Sequence, residues 1–192
     1  MGEEQSLRQK TAKGLFWGGL SNSLQQLLGL LFGIVLARLL SRSDYGMIGM
    51  LTIFSTIANI LQESGFISAL VNRKNASDKD YNAVFWFSVS CSAILYILLY
   101  LSAPLIAEFY RTPELVPLSR LTFLSFFIAS LGIAPRAILF RNLKVKENTI
   151  ISLSSLTLSG ITAIVLAVNG FAYWGIAIQS LVYVAVVVIL NW

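Results

Sequence analysis

The chain has no histidine and a single cysteine. Without histidine there is no imidazole general base, no histidine metal ligand and no Ser-His-Asp triad. One thiol, Cys91, cannot close an intrachain disulfide. Set in an apolar run, it reads as a small packing residue. Charge is scarce as well. Only 12% of the 192 residues are charged, against about 25% in a soluble domain. Paired carboxylates, a metal cluster and a sizeable soluble loop are all missing, so no enzyme activity and no cofactor are expected. Bases outnumber acids by fourteen to nine. They do not cluster among exposed aromatics as in a single-strand binder, so no nucleic-acid partner is expected. No secretory signal opens the chain. Glu3 and Glu4 lie where a basic start belongs, and no early small-x-small cleavage site follows. "MGEEQS" fits the short myristoylation pattern and "NAS" at 75–77 the glycosylation sequon. Both read as chance, because a span follows the first and the second falls in a loop placed in the cytoplasm.

What is abundant is apolar length: 56% of residues are hydrophobic. A bilayer core of about 30 Å needs roughly 20 apolar residues per helix. Six segments meet that length, at about 15–37, 45–70, 81–103, 118–139, 149–168 and 171–190. The expectation is an all-α polytopic membrane protein, one domain over 1–192 with six transmembrane helices. Arg8, Lys10, Lys13, Arg73, Lys74, Lys79, Arg136, Arg141, Lys144 and Lys146 fall on one side; Arg38, Arg42, Arg111 and Arg120 fall on the other. Positive charge stays inside, which places both termini in the cytoplasm and turns "LARLLSRSDYG" (36–46) outward. The outer connection "APLIAEFYRTPELVPLSR" is punctuated by Pro104, Pro113 and Pro117, and reads as a short helix lying on the membrane. "NGFAYWG" reads as a tight turn with aromatics at headgroup level. Six spans ending at Trp192 suggest either a compact six-helix unit or the first half of something longer.

Polar residues recur inside the spans. Thr52, Thr56, Asn59 and Glu63 follow one face of a helix, flanked by Ser55 and Gln62. Asn22, Gln25, Gln26, Gly29 and Gly33 share a face of the first span. Ser152, Ser155, Ser159 and Thr162 share one in the fifth. Three polar stripes are able to enclose a watery cavity, but small and hydroxyl residues also serve tight helix contacts. For the fifth span contact is the preferred reading; for the first the two stand level. Glu63 is the only acid well inside a span. A charge at bilayer depth costs at least about 2.5–3.5 kcal/mol on insertion scales. Either Glu63 reaches the interface or pairs with a base, or it is a cavity acid for a proton, Na⁺ or a cationic partner. Arg136 after Pro135, and Arg38 at the outer end of the first span, offer guanidinium forks suited to phosphate oxygens. Each taken alone reads as a snorkelling anchor.

"LARLLSRSDYGMIGMLTIF" resembles the first-to-second-span region of bacterial polysaccharide flippases, the Wzx-like branch of the MATE-related MOP superfamily. "ESGFISALVNRK" looks like that family's acid-x-Gly-Phe close of span 2. "DYNAVFWFSV", "APLIAEFYRTPEL" and "LFRNLKVKENTIIS" resemble its third span, outer connection and inner loop. The order and spacing agree along nearly the whole chain. The resemblance implies a six-helix N-terminal lobe of a MATE-like transporter in the bacterial inner membrane. A second six-helix lobe would complete it, in cis or by dimerisation. It implies movement of a lipid-diphosphate-linked oligosaccharide through a hydrophilic cavity, the lipid tail remaining among membrane lipids, for surface polysaccharide biosynthesis. The substrate and coupling candidates are then Glu63, Asn59, Arg38, Arg136, Asn22, Gln25 and Gln26, with H⁺ or Na⁺ as coupling ion. Two other classes compete. A MATE-type drug or organic-cation antiporter would favour acids and aromatics without arginines in its cavity, and a half-size non-transporting membrane partner would transport nothing.

Overall fold

The structure is a computed structural model and describes residues 2–62, 78–142 and 144–192. Every regular element among the described residues is helical: α1 (Gly2–Leu39), α2 (Arg42–Gln62), α3 (Asp78–Phe109), α4 (Leu115–Ser130), α5 (Ile133–Arg141), α6 (Val145–Val168) and α7 (Ala172–Asn191). Four stretches are long and apolar enough to cross a membrane: Phe16–Leu39, Lys79–Phe109, Val145–Val168 and Ala172–Asn191. A fifth crossing arises if α4 and α5, bent by 47°, count as one broken span. The second predicted span, 45–70, is described only as far as Gln62. Its last turns lie outside the described residues, as do Glu63, the acid-x-Gly-Phe stretch and the Asn75 sequon. The chain is thus a polytopic helical membrane protein.

Helix α2 begins where its sequence provides a cap. Asp44 Oδ2 accepts from the Ser41 amide at 2.8 Å and the Ser41 hydroxyl at 2.7 Å, and the Asp44 amide donates back to Ser41 Oγ at 3.2 Å. This reciprocal box pairs amides that no helical carbonyl reaches. Asp44 is buried, while Arg38 and Arg42 beside it are exposed. The charges of "LARLLSRSDYG" therefore divide into one structural cap and two solvated bases.

The expected membrane-lying helix between the third and fourth spans is replaced. Helix α3 runs on through Pro104 to Phe109, and α4 starts at Leu115. Packing decides this: Ala103, Ile106 and Ala107 keep the helical period and bury their side chains, the last two in a core with Leu115, Leu118 and Phe123 of α4. Pro117 sits in the first turn of α4, where no amide partner is needed. The turn between closes on Arg111, whose φ of 53° is left-handed. Thr112 N–H donates to Ala107 O and Arg111 N–H to Glu108 O, at 2.9 and 3.0 Å, the bond pattern of a Schellman stop. The turn after α6 repeats it with glycine: Gly170 has φ +83°, and Phe171 N–H reaches Leu166 O at 2.9 Å.

The fourth predicted span breaks at Leu131–Gly132. Pro135 has no amide to give Leu131, so the ladder lapses before it and Pro135 falls in the first turn of α5. A Cβ on Gly132 would lie 3.1 Å from Val188 Cγ2, so α7 also crosses closely there.

Successive crossings alternate in direction. Leu51, Ile106, Leu115, Leu118 and Ala177 share one core, and Leu36, Leu40 and Ala163 share another with Ala172 and Ile176. At the opposite end Lys146 lies 5.8 Å over Trp17, Trp192 donates to Leu131 O at 3.0 Å, and Phe85 meets Trp192 at 6.0 Å. The starts of α3 and α6 and the end of α7 therefore gather at one end. Lys79, Arg136, Arg141, Lys144 and Lys146 lie at that end, and Arg38, Arg42 and Arg111 at the other. Phe16, Leu27, Leu31, Ile94, Leu101 and Ile189 face outward, an apolar exterior that a bilayer covers.

Within lipid the helices associate through close fit rather than water exclusion. Helix α6 supplies that fit. Ser155, Ser159 and Ala163 are fully buried, and Gly160 is the meeting point with α1: a Cβ there would lie 2.5 Å from the Phe32 ring. Gly175 of α7 plays the same part, since its Cβ would lie 3.1 Å from Ala163 O.

Candidate functional site

A cavity of about 480 Å³ opens among α2, α4, α6 and α7. Its polar lining is Ser55 from α2, Thr122 and Ser125 from α4, Ser159 from α6, and Gln179, Ser180 and Tyr183 from α7. Phe126, Ala129, Leu156 and Val184 complete the wall. None of these lining residues is charged.

The hydroxyls share one bonding habit. Thr122, Ser125, Ser159 and Ser180 donate to the carbonyls of Leu118, Thr122, Leu156 and Ile176, at 2.9, 2.6, 3.1 and 3.3 Å. With the proton committed to backbone, the less enclosed Thr122 and Ser180 keep lone pairs for an incoming donor, while Ser159 is buried in the wall. Gln179 and Tyr183 make no hydrogen bond to other described residues, and they add an amide and a phenol that donate as well as accept. The result is a recess with several acceptors, a few donors and aromatic and aliphatic wall, carrying no net charge. Such a lining suits a polyhydroxylated ligand, and it holds no acid that would pair with an organic cation.

Of the three polar stripes expected from sequence, two contribute here. Ser55 of α2 and Ser159 of α6 meet in the cavity, while Thr52 and Thr56 are exposed and donate to Ile48 O and Thr52 O at 3.1 and 2.8 Å. Ser155 is enclosed by packing and donates to Ile151 O at 2.7 Å, the contact role preferred for that stripe. The stripe of α1 does not reach the cavity. Asn22 and Gln26 are exposed, and Gln25, half-buried, donates to Ser21 Oγ at 2.9 Å. Arg38 is exposed in the last turn of α1, about 24 Å along the axis from Asn22. Arg136 is exposed on α5 with its guanidinium 5.6 Å from the Phe140 ring. Asn59 belongs to α2, and Glu63 lies outside the described residues. The candidates of α1 and α5 are thus not assembled into one site.

Sequence reasoning missed Thr122, Ser125, Gln179, Ser180 and Tyr183. A signal was present in α7: Gln179 and Tyr183 lie one helical turn apart with Ser180 beside them.

The family model described as "Polysaccharide biosynthesis protein" matches residues 35–192. The chain belongs to that family. Within this polysaccharide biosynthesis family, curated relatives include the lipopolysaccharide biosynthesis protein WzxC of Escherichia coli K12, 25% identical over 92% of this chain and 35% of its own length. The teichuronic acid biosynthesis protein TuaB of Bacillus subtilis is 27% identical over 66% of the chain and 26% of its own length. The succinoglycan biosynthesis transport protein ExoT of Rhizobium meliloti is 26% identical over 77% and 30%. The chain spans about a quarter to a third of the length of these relatives. No solved structure matches it. The family assignment agrees with the Wzx-like resemblance drawn from "LARLLSRSDYGMIGMLTIF" and the motifs after it.

Proposed function

We propose that this chain forms one six-helix lobe of a MATE-like exporter that flips a lipid-diphosphate-linked oligosaccharide across the bacterial cytoplasmic membrane. Family membership supports a role in polysaccharide export. The observation that carries the reading further is the uncharged recess lined by Ser55, Ser159, Gln179 and Tyr183. Acceptors, donors and aromatic wall together suit sugar hydroxyls and ring faces. The absence of any acid among these lining residues argues against the organic-cation antiporter. A second six-helix lobe, in the same polypeptide or from another copy, supplies the facing wall, and one lobe rocks against the other.

In this reading the basic end of the bundle faces the cytoplasm, with both chain ends there. Arg38 and Arg136 engage the diphosphate at the two membrane faces, and the stripe of Asn22, Gln25 and Gln26 on α1 faces the second lobe. Asn59 and Glu63 lie on the α2 stripe, where Glu63 takes up H⁺ or Na⁺ to couple transport.

The test is polysaccharide export by the full-length protein in a host lacking its own exporter. Gln179→Leu with Tyr183→Phe removes two cavity hydrogen-bonding groups, each worth about 1 kcal/mol, and should lower export about tenfold or more. The protein level in the membrane should hold. Undiminished export would separate the cavity from the sugar, and efflux of a lipophilic cation that falls with this pair would move the assignment to the antiporter class.

A further inference from the structure

A second cavity, about 970 Å³, lies at the basic end of the bundle, between the start of α3, α5 and the end of α7. We propose that it holds the headgroup of an anionic glycerophospholipid, a phosphoglycerol amphiphile drawn from the leaflet at that end. The proposal does not depend on what the hydroxyl-lined recess carries.

Its polar chemistry is asymmetric. Asn191 is 9% exposed and its amide nitrogen donates to Val187 O at 2.7 Å, but its Oδ1 has no partner. A buried carbonyl is unfavourable until a donor meets it. A phosphate oxygen cannot be that donor, whereas a glycerol hydroxyl can. Arg141 also lines the cavity and donates through Nη1 to Tyr81 Oη at 3.0 Å. This guanidinium fits a phosphate, and the phenol beside it adds a further polar contact. One headgroup with a phosphate and a neighbouring hydroxyl answers both features.

The surroundings select an amphiphile. Phe85 packs edge-on against Trp86 and Trp192 with centroids 5.6 and 6.0 Å apart, an aromatic group of the kind found at headgroup level. Trp86, Ile138 and Trp192 line the cavity and are also exposed outward. Its walls therefore continue into the surface that acyl chains cover. The break before α5 turns that helix by 47°, so the cavity lies where the straight bundle ends. The helix ends around it carry Lys79, Arg136, Arg141, Lys144 and Lys146 against Asp78, Asp80 and Glu147. That excess of bases favours an anionic headgroup over a zwitterionic one.

Native mass spectrometry of the purified chain tests this with two lipids of equal charge and tail. Phosphatidylglycerol has headgroup hydroxyls and phosphatidylmethanol has none. The wild type should bind phosphatidylglycerol about three- to tenfold more tightly, the span of one hydrogen bond. Asn191→Leu should abolish that preference while retaining phosphatidylmethanol, and Arg141→Gln should weaken both. Equal binding of the two lipids by the wild type overturns the proposal without any variant. So does a preference that survives Asn191→Leu. Free glycerol phosphate bound as tightly as the lipid would assign the cavity to a soluble phosphate instead.

Discussion

Replacing Gly160 by alanine tests whether close fit at one point holds α1 to the bundle. The added methyl would sit 2.5 Å from two carbons of the Phe32 ring and 2.7 Å from a third. Contact that close cannot persist, so the ring or the helix has to move. Overpacking of this kind costs about 1–3 kcal/mol. Alanine also raises helix propensity over glycine by about 1 kcal/mol, which opposes the loss. The net expectation is a destabilisation of up to about 2 kcal/mol, or up to about thirtyfold in the unfolding equilibrium. Phe32 is half-buried, so it has room to swing towards lipid only by leaving α6. A double-mutant cycle resolves the two terms. Phe32→Ala clears the space, and Gly160→Ala on that background should be neutral or stabilising because propensity alone remains. The assay is reversible unfolding of the purified protein in mixed micelles, with the wild type, both single variants and the double variant compared. Strict additivity of the two substitutions would refute the contact. It would mean that α1 and α6 do not meet at Gly160.

Other outcomes follow from single elements. Asp44→Ala removes the acceptor for the Ser41 amide and hydroxyl and should destabilise by about 0.5–2 kcal/mol, read by the same unfolding assay. Arg111→Gly should stabilise and Gly170→Ala destabilise, each by about 1 kcal/mol, because both positions are left-handed and only glycine adopts that backbone freely. Opposite signs for the pair are the diagnostic result. Glu63→Gln in the full-length protein should lower transport while insertion is retained. Transport unchanged by it would remove Glu63 from the mechanism.

The order of elements was legible because bilayer thickness imposes a length that any apolar run must meet. Predicted spans at 149–168 and 171–190 fall within a residue or a few of α6 and α7. The "NGFAYWG" turn was legible for a local reason, since Asn-Gly is suited to a left-handed stop. The partition of bases between the two ends was legible too, because charges leave the hydrocarbon core whatever the packing. Proline was less informative. Pro104 was read as punctuation, yet α3 continues through it, because Ile106 and Ala107 gain a core against α4. Pro135 acts at a distance: the ladder gives way at Leu131–Gly132, where its missing amide is needed and where a Cβ on Gly132 would meet Val188 of α7.

The sequence by itself determined that this is an apolar, helical, polytopic protein with its bases divided between two ends, and its motifs resembled the polysaccharide biosynthesis family to which the chain belongs. These properties depend on composition, run length and local order, which no neighbour can alter. Tertiary structure alone decided which polar residues share a space. Ser155 and Ser159 belong to one stripe of α6, yet the first is consumed by packing and the second also borders a cavity. Gln179 and Tyr183 reach that cavity only because α7 packs between α6 and α4. A helical stripe gives the direction in which a side chain points along its own axis. Only the packing of the other helices determines whether it meets lipid, a neighbouring backbone or open space.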